Sequence, residues 1–355
     1  MIDVSIFSDA AHHWYDINEK DAVILPRPGR PQYNSTEIIA IADNILLYQK
    51  DNGGWPKNYD MQAVLTPEQA DSLQKSRSQL NTTFDNRTTY SQIGYLAKVY
   101  AYTKILKYKY AALKGLDYIT ESQYPNGGWP QYYPLEDNYS RYITFNDDAF
   151  AGIMCLLKDI KEAKPVYSFI DDMRRLQLES AFDKGLDCIL KTQIKDAGQP
   201  TAWCQQYDEV YLTPVWARKF EPPSICNGES VKVVQLLMSI KKPSPAVILA
   251  VKNAVAWFRA SAIQGIRIET FDAPELVTPY RVSKTDKRVI ADPQAPVIWA
   301  RYYELKTHRP LFCNRDSKVV YALAEVQRER RDGYGWYTYE PQKVLDKYDK
   351  WLDSL

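Results

Sequence analysis

Two short acidic phrases carry residue types suited to chemistry: Thr83-Phe84-Asp85-Asn86 and Thr144-Phe145-Asn146-Asp147-Asp148. Each stands before a stretch of helical apolar spacing, so one reading makes Asp85 and Asp147 helix caps that accept free backbone N–H groups. Two caps require neither Asn86 beside the first carboxylate nor Asp148 beside the second. A hard cation that wants several oxygens does, and the paired phrases therefore read as a Ca²⁺ site formed by two loops, well short of an EF-hand pattern.

The basic residues are less specific. Arg218-Lys219 lies in a long loop from Trp216 to Glu229, and by spacing alone Arg218 is a structural or carboxylate-pairing arginine. Arg301, Arg309 and Arg315 read by default as a helix-face ion pair, a loop charge and a turn charge. Lys57 follows Gly53-Gly54-Trp55-Pro56 and stands where Gln131 follows Gly127-Gly128-Trp129-Pro130, either solvated or paired with a carboxylate. The repeated Gly-Gly-Trp-Pro ends a helix with a packed Trp or offers a sugar-stacking platform. His308 reads as a loop packing residue, because no carboxylate sits near it in sequence to orient it as a base.

The elements that must position these residues are helical. Ser35 or Thr36 caps a run carrying Ile38, Ile41, Ile45 and Tyr48, and the same period continues through Ile93, Leu96, Val99 and Tyr100. It returns at Phe150, Ile153, Leu157 and Ile160, at Val231, Val234 and Leu237, and at Ile248, Val251, Val255 and Phe258. Lys114-Gly115-Leu116-Asp117-Tyr118-Ile119 with Gln123 recurs as Lys184-Gly185-Leu186-Asp187-Cys188-Ile189 with Gln193. A period of roughly 70 residues exceeds that of common helical repeats and suits a helical hairpin plus its loops. Hairpins closing in a ring give an all-α toroid whose acidic and basic loops converge on one mouth.

With 355 residues and 45% apolar content, the chain can fill a core. Its 45 basic and 44 acidic residues leave a net charge of +1, so no global field attracts nucleic acid or an anionic bilayer. Five cysteines without CxxC spacing argue against a disulfide scaffold and a structural zinc. Zinc-protease, serine-hydrolase and nucleotide-loop motifs are absent. No run approaches the ~20 apolar residues of a membrane span, and the first residues carry no export signal. The chain as it stands reads as soluble, and an exported product would have lost its signal.

Seven phrases together resemble the family 10 polysaccharide lyases, which are pectate lyases: DNGGWPKN (51 to 58), TTFDNRTTYSQI (82 to 93), QYPNGGWPQYYP (123 to 134), YITFNDDAF (142 to 150), AWCQQYD (202 to 208), ARKFEPPSICNGES (217 to 230) and ARYYELKTHRPLF (300 to 312). The resemblance runs in order from about residue 35 to 340. It implies an (α/α)₃ toroid that cleaves polygalacturonate by Ca²⁺-assisted β-elimination with an arginine base. Carried onto this chain, Asp85 and Asp147 are calcium ligands, Asn86 and Asp148 are further candidates, and Arg218 is the base. Arg309 and Arg315 are the leading candidates for substrate carboxylates, with Lys57, Trp129, Lys219 and Arg301 beside them. It also implies an N-terminal extension, 1–34, packed on a catalytic domain, 35–355, in a secreted or periplasmic monomer without nucleic-acid or membrane partners. Three places depart from the family pattern: Thr88-Thr89 where Ala-Thr is usual, Phe220-Glu221-Pro222-Pro223-Ser224 where a Tyr-Glu-Leu-Pro-Ser-like segment is usual, and Cys226-Asn227-Gly228 where a small Ser-Gly turn is expected.

The implied chemistry asks for such residues. Removing the uronide C5 proton throws negative charge onto the adjacent carboxylate, where a cation stabilises it; hydrolysis normally wants two carboxyl groups flanking the bond instead. A guanidine base conflicts with a pKa above ~12 unless Ca²⁺, Lys219 and other loop cations disfavour its charged form, with alkaline medium helping. A terpenoid cyclase or prenyltransferase-like toroid shares the Q-x₃-G-x-W spelling of Gln49 to Trp55 and Gln123 to Trp129, but DxDD and DDxxD are absent. A non-catalytic sugar-binding module explains the aromatics and leaves the paired acidic loops unexplained.

Overall fold

The computed structural model describes residues 2–16, 22–27, 29–196 and 198–355. By internal contacts the chain divides into Met1–Cys188 and Ile189–Leu355. Of the expected extension 1–34, residues 1, 17–21 and 28 lie outside the described residues.

The first unit is helical. It contains α1 (Ser8–Asp16), α2 (Ile38–Tyr48), α3 (Pro67–Lys75), α4 (Tyr90–Thr103), α5 (Leu106–Glu121), α6 (Ala149–Lys161) and most of α7 (Asp172–Thr192). The repeated phrases have a repeated job. Gln49 Nε2 donates to the carbonyls of Gly53 and Ala111, both at 2.9 Å, and Gln123 Nε2 donates to Gly127 at 3.0 Å and Ala181 at 2.9 Å. Each glutamine thus ties its own turn to the next helix. Trp55 Nε1 donates to Ile45 and Trp129 Nε1 to Ile119, at 2.8 and 2.9 Å, folding each indole back onto the helix it follows. Glycine is required at two points: Gly53 (φ +92) and Gly127 (φ +94) would place a Cβ 2.3 and 2.0 Å from the carbonyl oxygens of Lys114 and Lys184. The 3₁₀ turn Ser5–Phe7 before α1 packs by Phe7 on Tyr95, ring centres 5.4 Å apart, and Tyr15 O–H of α1 donates to Asp60 at 3.1 Å.

The second unit repeats the clamp once more. Gln193 Nε2 donates to Thr201 and Ala250, both at 3.0 Å, and Trp203 Nε1 to Ile189 at 2.8 Å. It adds α8 (Asn227–Met238), α9 (Pro245–Ala260), α10 (Arg328–Gly333) and α11 (Glu340–Asp353).

This unit also overturns the expectation of an all-α toroid of repeated hairpins. Ile266–Val277 and Val282–Ala291 form a long antiparallel hairpin, and Ile225–Cys226, Tyr302–Tyr303, Pro310–Cys313 and Val319–Val320 build a four-stranded antiparallel sheet. The fold is mixed. The physical reason is visible at Ile266, Ile268, Thr270 and at Val289, Ile290, where β-branched residues suit a pleated strand and carry no helical period. The short strands 225–226 and 302–303 are too brief for alternation to show.

Candidate active site

In the first unit both acidic phrases fold into matching 3₁₀ turns, Asp85–Arg87 and Asn146–Asp148. Asn86 (φ 49, ψ 43) matches Asp147 (φ 49, ψ 40), and Arg87 (φ 61) matches Asp148 (φ 63). The backbone therefore pairs Asn86 with Asp147 and Asp85 with Asn146, one residue out from a direct pairing of the two aspartates. Helix capping does not account for them, since neither α4 nor α6 has a side-chain cap bond at its N-cap residue, Thr89 or Asp148. Thr89 itself sits at φ 70, ψ −61, with the Tyr90 N–H donating to the Thr88 carbonyl at 2.9 Å, a strained γ-turn. Left-handed conformations cost a non-glycine residue about 1 kcal/mol or more each, and outliers clustered at one place point to function.

The side chains are arranged as follows. Asp85 is buried, with Lys57 Nζ 2.8 Å from its Oδ2, so Lys57 is the ion-pair partner that its position left open. Asn86 Nδ2 donates to Asn58 Oδ1 at 2.7 Å, and Arg87 Nη2 lies 3.2 Å from Asp148 Oδ2. Asp147 is exposed, and the two turns pack against each other. Asn146, which was not among the expected ligands, is buried with an Oδ1 that has no hydrogen-bond partner among the described residues. Among the described residues no group of three His, Cys, Asp or Glu side chains is placed to hold a metal. The donors are nevertheless hard oxygens from carboxylates and amides. That donor class is the one Ca²⁺ takes.

In the second unit, arginines gather around aromatic rings. Arg218 donates from Nε to Glu221 Oε2 at 2.9 Å and from Nη2 to Oε1 at 2.6 Å, and its backbone N–H reaches Oε2 at 3.2 Å. Glu221 is fully buried; burial works to raise its carboxyl pKa, but Arg218, with Arg301 beyond, holds it below the usual carboxylate range. Tyr334 O–H also donates to Glu221 Oε1 at 3.1 Å and shares a 2.6 Å hydrogen bond with Tyr302. Arg301 donates to Glu229 at 2.9 Å and lies over Tyr334, 4.7 Å from the ring centre, while the Cys226 thiol donates to the other Glu229 oxygen. Arg315 grips Glu329 with two bonds of 2.8 and 2.7 Å, which hold that carboxyl below its ordinary range.

Arg330 is different. It is 5% exposed, it lies 4.0 Å from the Phe220 ring centre and 4.1 Å from that of Tyr334, and its Nε and Nη2 are buried without hydrogen-bond partners among the described residues. Burial, with Arg315 and Arg218 nearby, lowers its pKa. Phe220 is the hub, its ring centre 5.0 Å from the guanidinium carbons of both Arg218 and Arg315 as well. Four guanidinium groups thus share three carboxylates, Glu221, Glu229 and Glu329, and one buried cation is left asking for an anion.

The other proposed contacts fall elsewhere. Arg309 is exposed and stacks on Tyr321, 4.0 Å from its centre, and Lys219 is exposed beside Arg218. Trp129 is fully buried, hydrogen-bonded to Ile119 and packed against Gly185, which leaves no ring face for a sugar. His308 Nε2 lies 3.0 Å from Asp196 Oδ2, a carboxylate far away in sequence. Arg330 was missed because Arg328-Glu329-Arg330-Arg331 looks like a solvated charge run. The flanking aromatics Tyr334 and Trp336 were the available signal.

The first unit thus holds hard oxygens on strained turns, and the second holds an arginine cluster with one carboxylate fewer than its guanidinium groups among the described residues. The chain belongs to the pectic acid lyase family, whose model matches residues 49–345, in agreement with the resemblance carried by the sequence phrases. It is similar to the solved family 10 polysaccharide lyase from Cellvibrio cellulosa, with 30% identity and a TM-score of 0.73 over 87% of this chain and 91% of that one. An aspartate-to-alanine mutant of that lyase in complex with trigalacturonic acid matches at 29% identity and TM-score 0.73, over 87% and 92% of the two chains. No curated protein matches the chain. Among the described residues no helix is long and apolar enough to cross a membrane.

Proposed function

We propose that this polysaccharide lyase is a pectate lyase that cleaves α-1,4-linked polygalacturonate by β-elimination, giving 4,5-unsaturated oligogalacturonates. The observation that carries the reading is the buried Arg330, a cation without a protein carboxylate inside a cluster whose other arginines each have one. Uronate carboxylates are the anion that a pectic acid lyase must hold, and the complex of the Cellvibrio lyase with trigalacturonic acid supports that substrate class. Arg301, Arg315 and Arg330 hold uronates, with Lys57, Lys219 and Arg309 as outlying cations.

Asp85, Asn86, Asp147 and Asp148 would hold a Ca²⁺ ion, which when bound supplies positive charge against the carboxylate charge that builds as C5 loses its proton. Arg218, as the neutral guanidine, takes that proton. The C5 electron pair becomes the C4=C5 double bond, the C4–O bond breaks, and the leaving oxygen takes a proton from water. Glu221 fixes the fork of Arg218 but favours its charged form, while the cations Arg301, Arg315 and Arg330 oppose that charge. Turnover therefore rises toward alkaline pH.

The Glu221 pair also supports a second reading, in which Arg218 binds a substrate carboxylate and takes no proton. Arg218→Lys with calcium saturating separates them. A base loses kcat by roughly 10²-fold or more with a smaller change in Kd; a binding arginine keeps kcat and loses affinity. For the reaction itself, the wild-type chain incubated with polygalacturonate and calcium should build the ultraviolet absorbance of an unsaturated uronide and stop in chelator. Shortened chains without that absorbance would identify hydrolysis and end the lyase assignment.

A further inference from the structure

The hairpin of the second unit turns at Thr278-Pro279-Tyr280-Arg281. Thr278 N–H donates to the Arg281 carbonyl at 3.0 Å, and Thr278 Oγ1 accepts from the N–H groups of Tyr280 and Arg281 at 3.3 and 3.1 Å. Pro279 fixes φ at the first corner, so the tip is a closed turn. It is also tied down. Arg281 Nη2 lies 3.2 Å from the buried Asp332, which also accepts from Ser283 and Thr285 at 2.5 and 2.9 Å. Arg281 crosses Gly333 so closely that a Cβ there would sit 2.3 Å from its Nη1. Arg331 adds a two-pronged grip on Asp286, with bonds of 2.8 and 2.6 Å. The hairpin is therefore fixed to α10, the helix that carries Glu329 and Arg330.

Tyr280 stands on this anchored tip, 63% exposed, with the guanidinium carbon of Arg315 3.7 Å from its ring centre. Glu329 takes Nε and Nη2 of Arg315, and Nη1 has no acceptor among the described residues. Arg315 covers one face of the ring, so the open surface is the other face and the edge, with an uncommitted donor on the covered side. A uronide has the matching parts, an apolar C–H face on its pyranose ring and a carboxylate at its edge. Propping Arg315 alone would not require leaving most of the Tyr280 surface in water.

We infer that Tyr280, with Nη1 of Arg315, forms a subsite for two neighbouring uronides, in which the free face of the phenol ring stacks on one sugar and the guanidinium takes the carboxylate of the next, a specificity device supplied by the hairpin. This rests on the pectate lyase reading. The test is a double-mutant cycle on the full chain, measuring Kd for hexagalacturonate by calorimetry in chelator so that no turnover occurs. Tyr280→Ala should weaken binding by roughly tenfold, Tyr280→Phe should stay within about twofold of wild type, and Tyr280→Ala should still weaken binding severalfold in an Arg315→Ala background. Circular dichroism checks that this exposed turn substitution leaves the fold intact. An unchanged Kd for Tyr280→Ala, or an effect that vanishes once Arg315 is gone, overturns the subsite. Parallel assays keep the two levels apart: product formation by the wild type with an unchanged Kd in Tyr280→Ala overturns the subsite alone, whereas a wild type that neither binds hexagalacturonate nor makes product overturns both.

Discussion

The acidic turns of the first unit and the arginine cluster of the second are built in opposite ways. The turns are local: a few consecutive residues, repeated, hold Asn86 and Asp147 in backbone shapes that cost energy. The cluster is assembled from Arg218, Arg301, Arg315 and Arg330, scattered along the chain and gathered by Phe220 and Tyr334. Strain in the first region sits in the backbone, whereas in the second it is electrostatic, a buried guanidinium without its anion. An anion would relieve the second. The comparison teaches that paired acidic turns can be carried by a short motif, while an arginine cluster of this kind depends on tertiary packing.

The sharpest break of that contrast is at Asp85. Asp85→Asn keeps the size and a hydrogen-bond acceptor for Lys57 but removes the charge, so turnover at fixed calcium should fall by roughly 10²-fold or more and recover partly as calcium is raised. A calcium titration of wild type and variant checks this; identical curves would take Asp85 out of the metal site. The next effect is on the cluster. Arg330→Met fills similar space without a buried unpaired charge, so the melting temperature should hold or rise while Kd for oligogalacturonate weakens by about tenfold or more. A variant that melts lower and binds normally would make Arg330 structural.

A smaller effect is expected at Glu221. Glu221→Gln removes the carboxylate that favours the charged form of Arg218, and the alkaline limb of kcat against pH should move to lower pH. An unmoved limb would detach Arg218 from the titration. Least is expected from Glu329→Gln. Glu221, Asp286, Glu329 and Asp332 all have lowered folded-state pKa values, so their stabilisation is complete above the ordinary carboxyl range and is lost as pH falls through the lowered values. The wild-type melting temperature should be flat above about pH 5 and drop below about pH 4; Glu329→Gln should melt about 2 to 4 °C lower at neutrality and drop less in acid.

Much of the first unit was legible because its signals are short in range. The tryptophan of each repeated phrase packs back on its helix, and the family phrases at 82 to 93 and 142 to 150 fall on the two strained turns. The helices, however, end at Tyr48 and Glu121, ahead of Gly53 and Gly127, and the glutamine clamp was not anticipated. The one-residue offset pairing Asp85 with Asn146 was not legible, because it is set by backbone angles. In the second unit, Glu221, Glu329 and Arg330 are ordinary charges in sequence, and only packing makes them partners or leaves one without. The hairpin at 266–291 was hidden because a search for helical period discards alternation. Trp129 went the other way: its motif suggested a platform, but its indole closes the helix behind it.

The claim common to both regions is that the ligand is an anionic uronide. Initial rates of unsaturated-product formation, measured with saturating calcium on polygalacturonate and on its fully methyl-esterified form at equal uronide concentration, test it most directly. Esterification leaves the C5 proton and the glycosidic bond in place and removes the carboxylate charge, so the acid form should be cleaved and the ester should react at least roughly tenfold more slowly. Equal rates on the two substrates would contradict the account.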